Sequence, residues 1–272
     1  MPARATRRTI LRAGAAAGAA ALTAANHARA AGANERIRIG VIGCGSRGVG
    51  AHMRGVHRHA KTENIEIIAV CDVWKTARER AAALTKQWYG REAKKLVSYR
   101  DLVAMKDVDA VMIASCDHQH TTHLKAVAEA KKDVYCEKPL AMRFDRLKAA
   151  CDAVVANKVV FQAGTQLRSW PTFGGCRKLF RTGVLGKISR IEQVRNSTRP
   201  YWYGYLKDAR KKDVDWEEFL MGLPDRPFSA EQYTGWYGYR DFSDGPVPGL
   251  ASHFIDLVHY ITGAKFPTSA VC

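Results

Sequence analysis

An α/β fold, opening with a doubly wound parallel sheet and continuing into a second domain, is predicted by three features of this 272-residue sequence. Short apolar, β-branched runs alternate with helix-length segments from Ile37 to Gly164, the pattern of parallel strands joined by crossover helices. A glycine-rich turn, Gly43-Cys44-Gly45-Ser46-Arg47-Gly48, directly follows the first of those runs. Beyond Arg168 the texture changes to an aromatic, Gly- and Pro-rich stretch in which Lys187 to Ser197 alternates in the manner of an antiparallel strand.

The elements follow in order. Ile37 to Ile42 reads as a buried parallel strand, and the turn behind it has the spacing G-x-G-x-x-G. Gly43 permits the tight turn, Gly45 lets backbone approach a pyrophosphate, and Gly48 lets the next helix pack closely on the strand. That helix N-terminus offers free N–H groups to phosphate, with Cys44, Ser46 and Arg47 beside it. Ile65 to Cys71 is the second strand, and Asp72 stands at its end, about two dozen residues past the last glycine, where an acidic side chain accepts from a ribose 2′-hydroxyl. A carboxylate there repels a 2′-phosphate and favours NAD over NADP, although Arg47 and Lys75 pull the other way. A helix near Thr76 to Trp88, a short element at Leu96 to Tyr99, and a helical turn around Asp101 to Met105 come next. Strands at Asp109–Ala114, Asp133–Cys136 and Val159–Gly164 then alternate with helices at His120–Ala130 and Phe144–Ala156. The dinucleotide-binding domain spans 34–167, and the second domain 168–272.

Residues 1–30 read as a leader to be set apart from the fold. Thr6-Arg7-Arg8-Thr9-Ile10-Leu11-Arg12 is a twin-arginine n-region, Ala13 to Ala25 a mildly apolar run, and Ala28-Arg29-Ala30 a cleavage site. The run is too short and alanine-rich to span a bilayer. Export of a folded protein through the twin-arginine machinery, to the periplasm or otherwise out of the cytoplasm, is therefore expected, with a nucleotide acquired in the cytoplasm and carried inside.

The formal charge of +17 falls to +12 when Arg4, Arg7, Arg8, Arg12 and Arg29 of the leader are set aside. The excess is dispersed, and no nucleic-acid motif accompanies it. The seven cysteines include no C-x-x-C, so neither a zinc ribbon nor a redox dithiol is indicated. His118, His120 and His123 lack a carboxylate or thiol at ligand spacing, and no metal site is expected.

Cys136-Glu137-Lys138-Pro139-Leu140 at a strand end, Asp117-His118-Gln119-His120 at the end of the strand before, Asp215-Trp216-Glu217-Glu218-Phe219-Leu220, and Ser252-His253-Phe254-Ile255-Asp256-Leu257-Val258-His259 together resemble the Gfo/Idh/MocA family of nicotinamide-dependent oxidoreductases. The leader resembles that of the exported branch, whose members act on sugars, inositols or related polyols. The resemblance implies a Rossmann domain followed by an α+β domain with an open, mostly antiparallel sheet. It implies that Lys138 polarises the reacting oxygen, that Glu137 orients the lysine and contacts the cofactor, and that His118 lies near the cofactor. It further implies that His253 is an acid/base group and that Asp256, on the same helical face, holds a substrate hydroxyl or orients the imidazole. Gln166 and Arg168 leave the last strand toward the same cleft, as substrate contacts.

One position departs from the family pattern. Many members carry an aspartate four residues before the histidine, and here that residue is Gly249, leaving Asp241 or Asp244 as substitutes and Gly249→Asp as a change expected to raise activity. The chain ends at Cys272 where the family usually continues through further strands, so a fragment, or a sheet completed in a homo-oligomer, is expected. Three functions follow: an oxidoreductase with bound NAD(H), a redox-neutral glycosidase-like enzyme that takes a hydride and returns it, and a non-catalytic nucleotide-binding protein.

Overall fold

The computed structural model describes residues 36–194 and 207–271; the leader and Arg195 to Ser197, the end of the expected antiparallel strand, lie outside them. The first described residues form β1 (Ile37–Ile42), a helical stretch that is π-wound over Gly48–Met53 and then becomes α1 (Arg54–His59), and β2 (Ile65–Cys71). There follow α2 (Lys75–Tyr89), β3 (Lys94–Leu96), α3 (Tyr99–Val103), β4 (Ala110–Ile113) and α4 (His120–Glu129). β5 (Asp133–Cys136), α5 (Phe144–Asn157) and β6 (Phe161–Ala163) complete this part.

All pairings in the six-stranded sheet are parallel, and the strand order is β3-β2-β1-β4-β5-β6. That order reverses between β1 and β4, so their carboxyl ends diverge and leave a crevice, the place where open α/β sheets bind ligands. Both faces are covered. Ile39, Val41, Ile67 and Val70 pack with Met53, Val56 and Ala81 on one side. On the other, Ile42, Ile68, Val111 and Ile113 pack with Leu102, Leu124 and Val127. Residues one apart on β1 thus enter opposite clusters, as the period of a strand requires. Helix ends obey local chemistry: Gly90 closes α2 at φ +74°, and the Ser98 hydroxyl accepts from Arg100 N–H to start α3.

The second part does not form the antiparallel sheet expected of it. Residues 187–194, the described part of the expected Lys187–Ser197 strand, take no strand conformation and are exposed, because no neighbouring strand is present among the described residues to pair their backbone. Instead this part is helical: α6 (Pro171–Arg181), α7 (Trp216–Leu220), α8 (Ala230–Thr234) and α9 (Ser252–Thr262), the last preceded by a π-wound turn at Val247–Ala251.

Two of its segments return to the crevice of the parallel sheet. Asp215 caps α7 by accepting from Glu218 N–H, and its own N–H donates to the carbonyl of Val73. Trp74 and Val214 form an antiparallel bridge. Glu218 accepts from the Ser98 hydroxyl, and both of its oxygens accept from Arg100 Nη1, at 3.0 and 3.1 Å. Phe219, Leu220 and Phe242 make a small aromatic and aliphatic core of their own against Val73 and Cys116.

Candidate active site

The glycine turn has the geometry its spacing implies. Gly43 sits at φ +89°, and a Cβ there would meet the backbone of Ala114 at 2.5 Å. A Cβ on Gly48 would lie 1.8 Å from the Gly43 carbonyl oxygen, so glycine there is what lets the helix start so close to β1. Gly45 is exposed, with nothing within 4 Å of the Cβ position, leaving its backbone accessible. Gly43, Gly45, Ser46 and Arg47 border a cavity of about 440 Å³ that runs from Asp72 to Lys138, Gln166 and His253. An open glycine cradle at a helix start, with a carboxylate at one end and polar groups at the other, fits a dinucleotide.

Asp72 is more committed than its expected ribose role suggests. One carboxylate oxygen accepts from Cys44 N–H at 2.6 Å and the other from Trp74 N–H at 2.8 Å. Each oxygen keeps acceptor capacity for a ribose hydroxyl. Burial pushes its carboxyl up, and the two backbone hydrogen bonds oppose that. Cys44 is buried, and its thiol too is pushed up by burial.

At the end of β5, Glu137 is held by Arg47 Nε at 2.6 Å, while His52 Nε2 stands 2.9 Å from the same oxygen at ion-pair distance. The Tyr135 hydroxyl donates to it as well, at 3.3 Å. Burial acts to raise the Glu137 carboxyl, but His52 and Arg47 outweigh it and leave it at about 2. Gly164 makes room: a Cβ there would meet Glu137 Cα at 2.9 Å. Two expectations change. Arg47 turns to Glu137 as well as bordering the cavity, and Glu137 does not hold the lysine ammonium: its Oε1 is shared by Arg47, His52 and Tyr135, and its Oε2 accepts from the Lys138 backbone N–H at 3.3 Å. Lys138 Nζ donates instead to the Gly249 carbonyl, at 2.5 Å. Burial lowers the Lys138 ammonium, against the Glu137 and Asp117 charges that raise it.

His253 on α9 borders the same cavity as Lys138, and its Nδ1 is buried without a hydrogen-bond partner. Gln166 borders it too, with Oε1 in the same state. Burial lowers the imidazole of His253, and the neighbouring Lys138 charge lowers it further. Asp256 neither faces the cavity nor orients His253. It binds Arg168, whose Nε lies 2.8 Å from both carboxylate oxygens, so these two expected substrate contacts are spent on each other outside the cavity wall.

The Gly249 departure has a structural cause. Its φ is not in the left-handed region, yet a Cβ there would lie 1.8 Å from the Tyr237 hydroxyl. Gly249→Asp is therefore a collision, and the expected gain in activity does not follow. Neither proposed substitute lines the cavity: Asp241 pairs with Arg226 at 2.5 Å, and Asp244 is exposed.

The three histidines do not converge on one point, although His120 and His123 both contact Ser115. His118 turns away from the cavity, contrary to its expected place at the cofactor. Its Nε2–H donates to the Phe219 carbonyl at 2.9 Å, its ring packs on Phe219 and Phe242, and burial lowers it to about 4, so it is the neutral tautomer. His120 lies between the carbonyls of Pro139 and Ser115, and His123 Nδ1 is 3.0 Å from the Ser115 hydroxyl. Asp117, not singled out from the sequence beyond its motif, is buried at the cavity and accepts from Ser243 Oγ at 2.6 Å. Its partner lies 126 residues away, so only the fold brings the two together. His52 gives no signal as a site residue, since it sits in a stretch whose spacing is that of ordinary helix, and Tyr237 is marked only as one of several aromatics that anchor loops or stack on a sugar.

Comparison with known proteins gives four findings. The description of the Gfo/Idh/MocA oxidoreductase family, with an NAD-binding Rossmann fold, matches residues 37–165. An inositol 2-dehydrogenase/D-chiro-inositol 3-dehydrogenase of Shouchella clausii is 35% identical over 232 residues, 85% of this chain and 54% of that protein. An inositol 2-dehydrogenase of Rhizobium meliloti is 28% identical over 193 residues, 68% of this chain and 55% of that one. The solved WlbA dehydrogenase from Bordetella pertussis, in complex with NADH and UDP-GlcNAcA, shares the fold with a TM-score of 0.59 at 22% identity, over 84% of this chain and 56% of that one. The chain spans about half the length of the curated relatives it matches.

Proposed function

We propose, for a chain whose residues 37–165 belong to the Gfo/Idh/MocA oxidoreductase family with an NAD-binding Rossmann fold, that the protein transfers a hydride between firmly held NAD(H) and a hydroxyl of a sugar, inositol or related polyol. The observation that carries this reading is the meeting of Lys138, Gln166 and His253 at one cavity that continues to the glycine turn, two of them with a buried polar atom that lacks a partner, Gln166 Oε1 and His253 Nδ1. Buried polar atoms without partners are costly, and a hydroxylated ligand relieves that cost.

The bound nicotinamide supplies the hydride acceptor. The chain supplies the rest. The turn at Gly43 to Gly48 and Asp72 hold the dinucleotide, Lys138 Nζ polarises the reacting oxygen, and Gln166 fixes a neighbouring hydroxyl. His253 Nδ1 takes the proton, for which its lowered basicity keeps it neutral at neutral pH. Lys138 then stabilises charge developing on the oxygen.

The twin-arginine motif at Arg7-Arg8 and the Ala28-Arg29-Ala30 site support export after folding. Self-association is part of the same proposal, supported by exposed Trp170, Leu179 and Ile255 in place of a sheet edge. The test is to purify the cytoplasmically folded protein, identify the nucleotide released on denaturation, and follow nicotinamide absorbance with a panel of sugars and inositols. Protein that neither carries nor binds nucleotide defeats the reading. Bound NAD that turns over sugar with no net reduction favours the redox-neutral alternative, for which a retained nucleotide suffices.

A further inference from the structure

Tyr237 has no part in the mechanism above, yet it decides what residue 249 can be. The phenol is buried and borders the cavity that holds Lys138, Gln166 and His253. A Cβ on Gly249 would lie 1.8 Å from its hydroxyl, 2.7 Å from Cζ and 3.1 Å from Cε2. Backbone conformation gives no other reason for glycine, because φ at 249 is not left-handed. Contact between this phenol and the Gly249 α-carbon is therefore close packing of ring against main chain. The peptide so contacted has one other distinction: its carbonyl receives Lys138 Nζ at 2.5 Å. It also lies in the π-wound turn Val247–Ala251, a winding that leaves backbone groups less regularly paired than in an α-helix and that recurs at functional sites.

We propose that Tyr237 is a positioning residue for Lys138: its phenol wedges against Gly249 and fixes the carbonyl on which the lysine ammonium rests. The line of action runs from the Trp236–Gly238 turn, through the main chain before α9, to the end of β5, joining three separate parts of the chain at one nitrogen atom. This rests on the hydride-transfer reading for its catalytic consequence, though not for the contact itself. A displacement of the lysine by a fraction of an ångström alters alignment with the reacting oxygen, the kind of misplacement that costs up to about 10²-fold in rate. It also weakens a hydrogen bond to the charged form, which lowers the basicity of Lys138. The other charged and titratable groups acting on Lys138 are Glu137 and Asp117, which favour the ammonium, and Arg47 and His253, which oppose it or share its cavity.

The experiment is a double-mutant cycle on the nucleotide-loaded full chain with Gly249→Ala, Tyr237→Ala and the two combined, read by turnover, nucleotide retention and the pH dependence of Lys138 acylation followed by peptide mass spectrometry. Gly249→Ala alone is expected to lower turnover about 10²-fold with nucleotide retention unchanged. In the Tyr237→Ala background the same change should cost under about 3-fold, because the clash is gone, whereas independent sites would add. Tyr237→Phe, which removes the 1.8 Å contact and leaves the 2.7 Å one, should tolerate Gly249→Ala to an intermediate degree. Acylation of Lys138 should begin at lower pH in Tyr237→Ala and in Gly249→Ala than in the parent. Additive losses across the cycle, or acylation profiles that coincide in all variants, overturn the role of Tyr237. A parent protein that oxidises no sugar or polyol refutes the proposed function instead, and the acylation profiles then decide the positioning role alone. Should Gly249→Ala fail to fold, Tyr237→Ala and Tyr237→Phe carry the same acylation test.

Discussion

At the scale of single residues, Lys138 and His253 are neighbours of one cavity although 115 positions separate them. Lys138→Ala should abolish hydride transfer and leave nucleotide bound, since the turn at Gly43 to Gly48 holds the phosphates; rapid loss of the nucleotide from that variant would mean the lysine is part of the cofactor cradle. For His253→Ala a fall in turnover of about 10² to 10⁴ is expected, the worth of a positioned proton-transfer group. The parent imidazole should titrate below its ordinary value of about 6.5, so activity persists as pH falls through that value and is lost only lower. Removing Lys138 removes one of three lowering causes, burial and the Arg47 charge being the others, and the His253 ring, followed by NMR, should then titrate higher. These two residues were readable because each sits in a motif with a characteristic neighbour pattern. The pairing of Arg168 with Asp256, 88 positions apart, was not readable, because a side chain's partner is chosen by tertiary packing and leaves no local periodicity. Gly249 was visible as a departure, but its reason, the Tyr237 ring, was not.

Among the elements, strands were the most readable. Ile37–Ile42 and Ile65–Cys71 agree residue for residue with their apolar runs, since a strand buried on both faces has a continuous hydrophobic signature. β6 is shorter than Val159–Gly164, for at the sheet edge only part of the run finds a partner. The antiparallel alternation from Lys187 failed for a related reason, period alone being insufficient where no second strand lies alongside. Asp72 shows how an element's end does two jobs. Its carboxylate ties the glycine turn to the start of α2 through Cys44 and Trp74 N–H, so Asp72→Ala should weaken nucleotide retention and also lower the melting temperature of nucleotide-free protein. Asp72→Asn, which keeps one acceptor oxygen, should recover part of the thermal loss. A variant that loses retention with no change in melting would reduce Asp72 to a ribose contact alone.

Over the whole molecule, the parallel sheet and the helical segments behind it meet through a few named contacts: Glu218 with Ser98 and Arg100, Asp215 with Val73, Ser243 with Asp117, and Phe219 with His118 and Gln119. Glu218→Gln should therefore speed release of bound nucleotide several-fold while leaving chemistry at Lys138 intact, measured as decay of cofactor fluorescence on dilution. The effect should be modest, since the Arg100 side of the pair is well exposed to solvent and salt. An unchanged release rate would mean that these contacts seal the mouth without governing passage through it. Glu137 adds a pH limit of a different kind. Its carboxyl is held at about 2, below the unfolded value, so its contribution to stability is complete above the unfolded value and is lost as pH falls toward 2.

The carbonyl oxygen of Phe219 receives both the imidazole of His118 and the amide of Gln119. Those two residues belong to the turn between β4 and α4, and Asp117 of that same turn borders the crevice. Opening the mouth by withdrawing α7 would thus strip the buried Gln119 and the half-buried His118 of their shared acceptor at once. Such an aperture has two settings, shut or fully withdrawn, with little advantage in between. Nucleotide residence time would then report the frequency of a discrete opening event, and amide hydrogen exchange at Phe219 and Leu220 would keep the same clock.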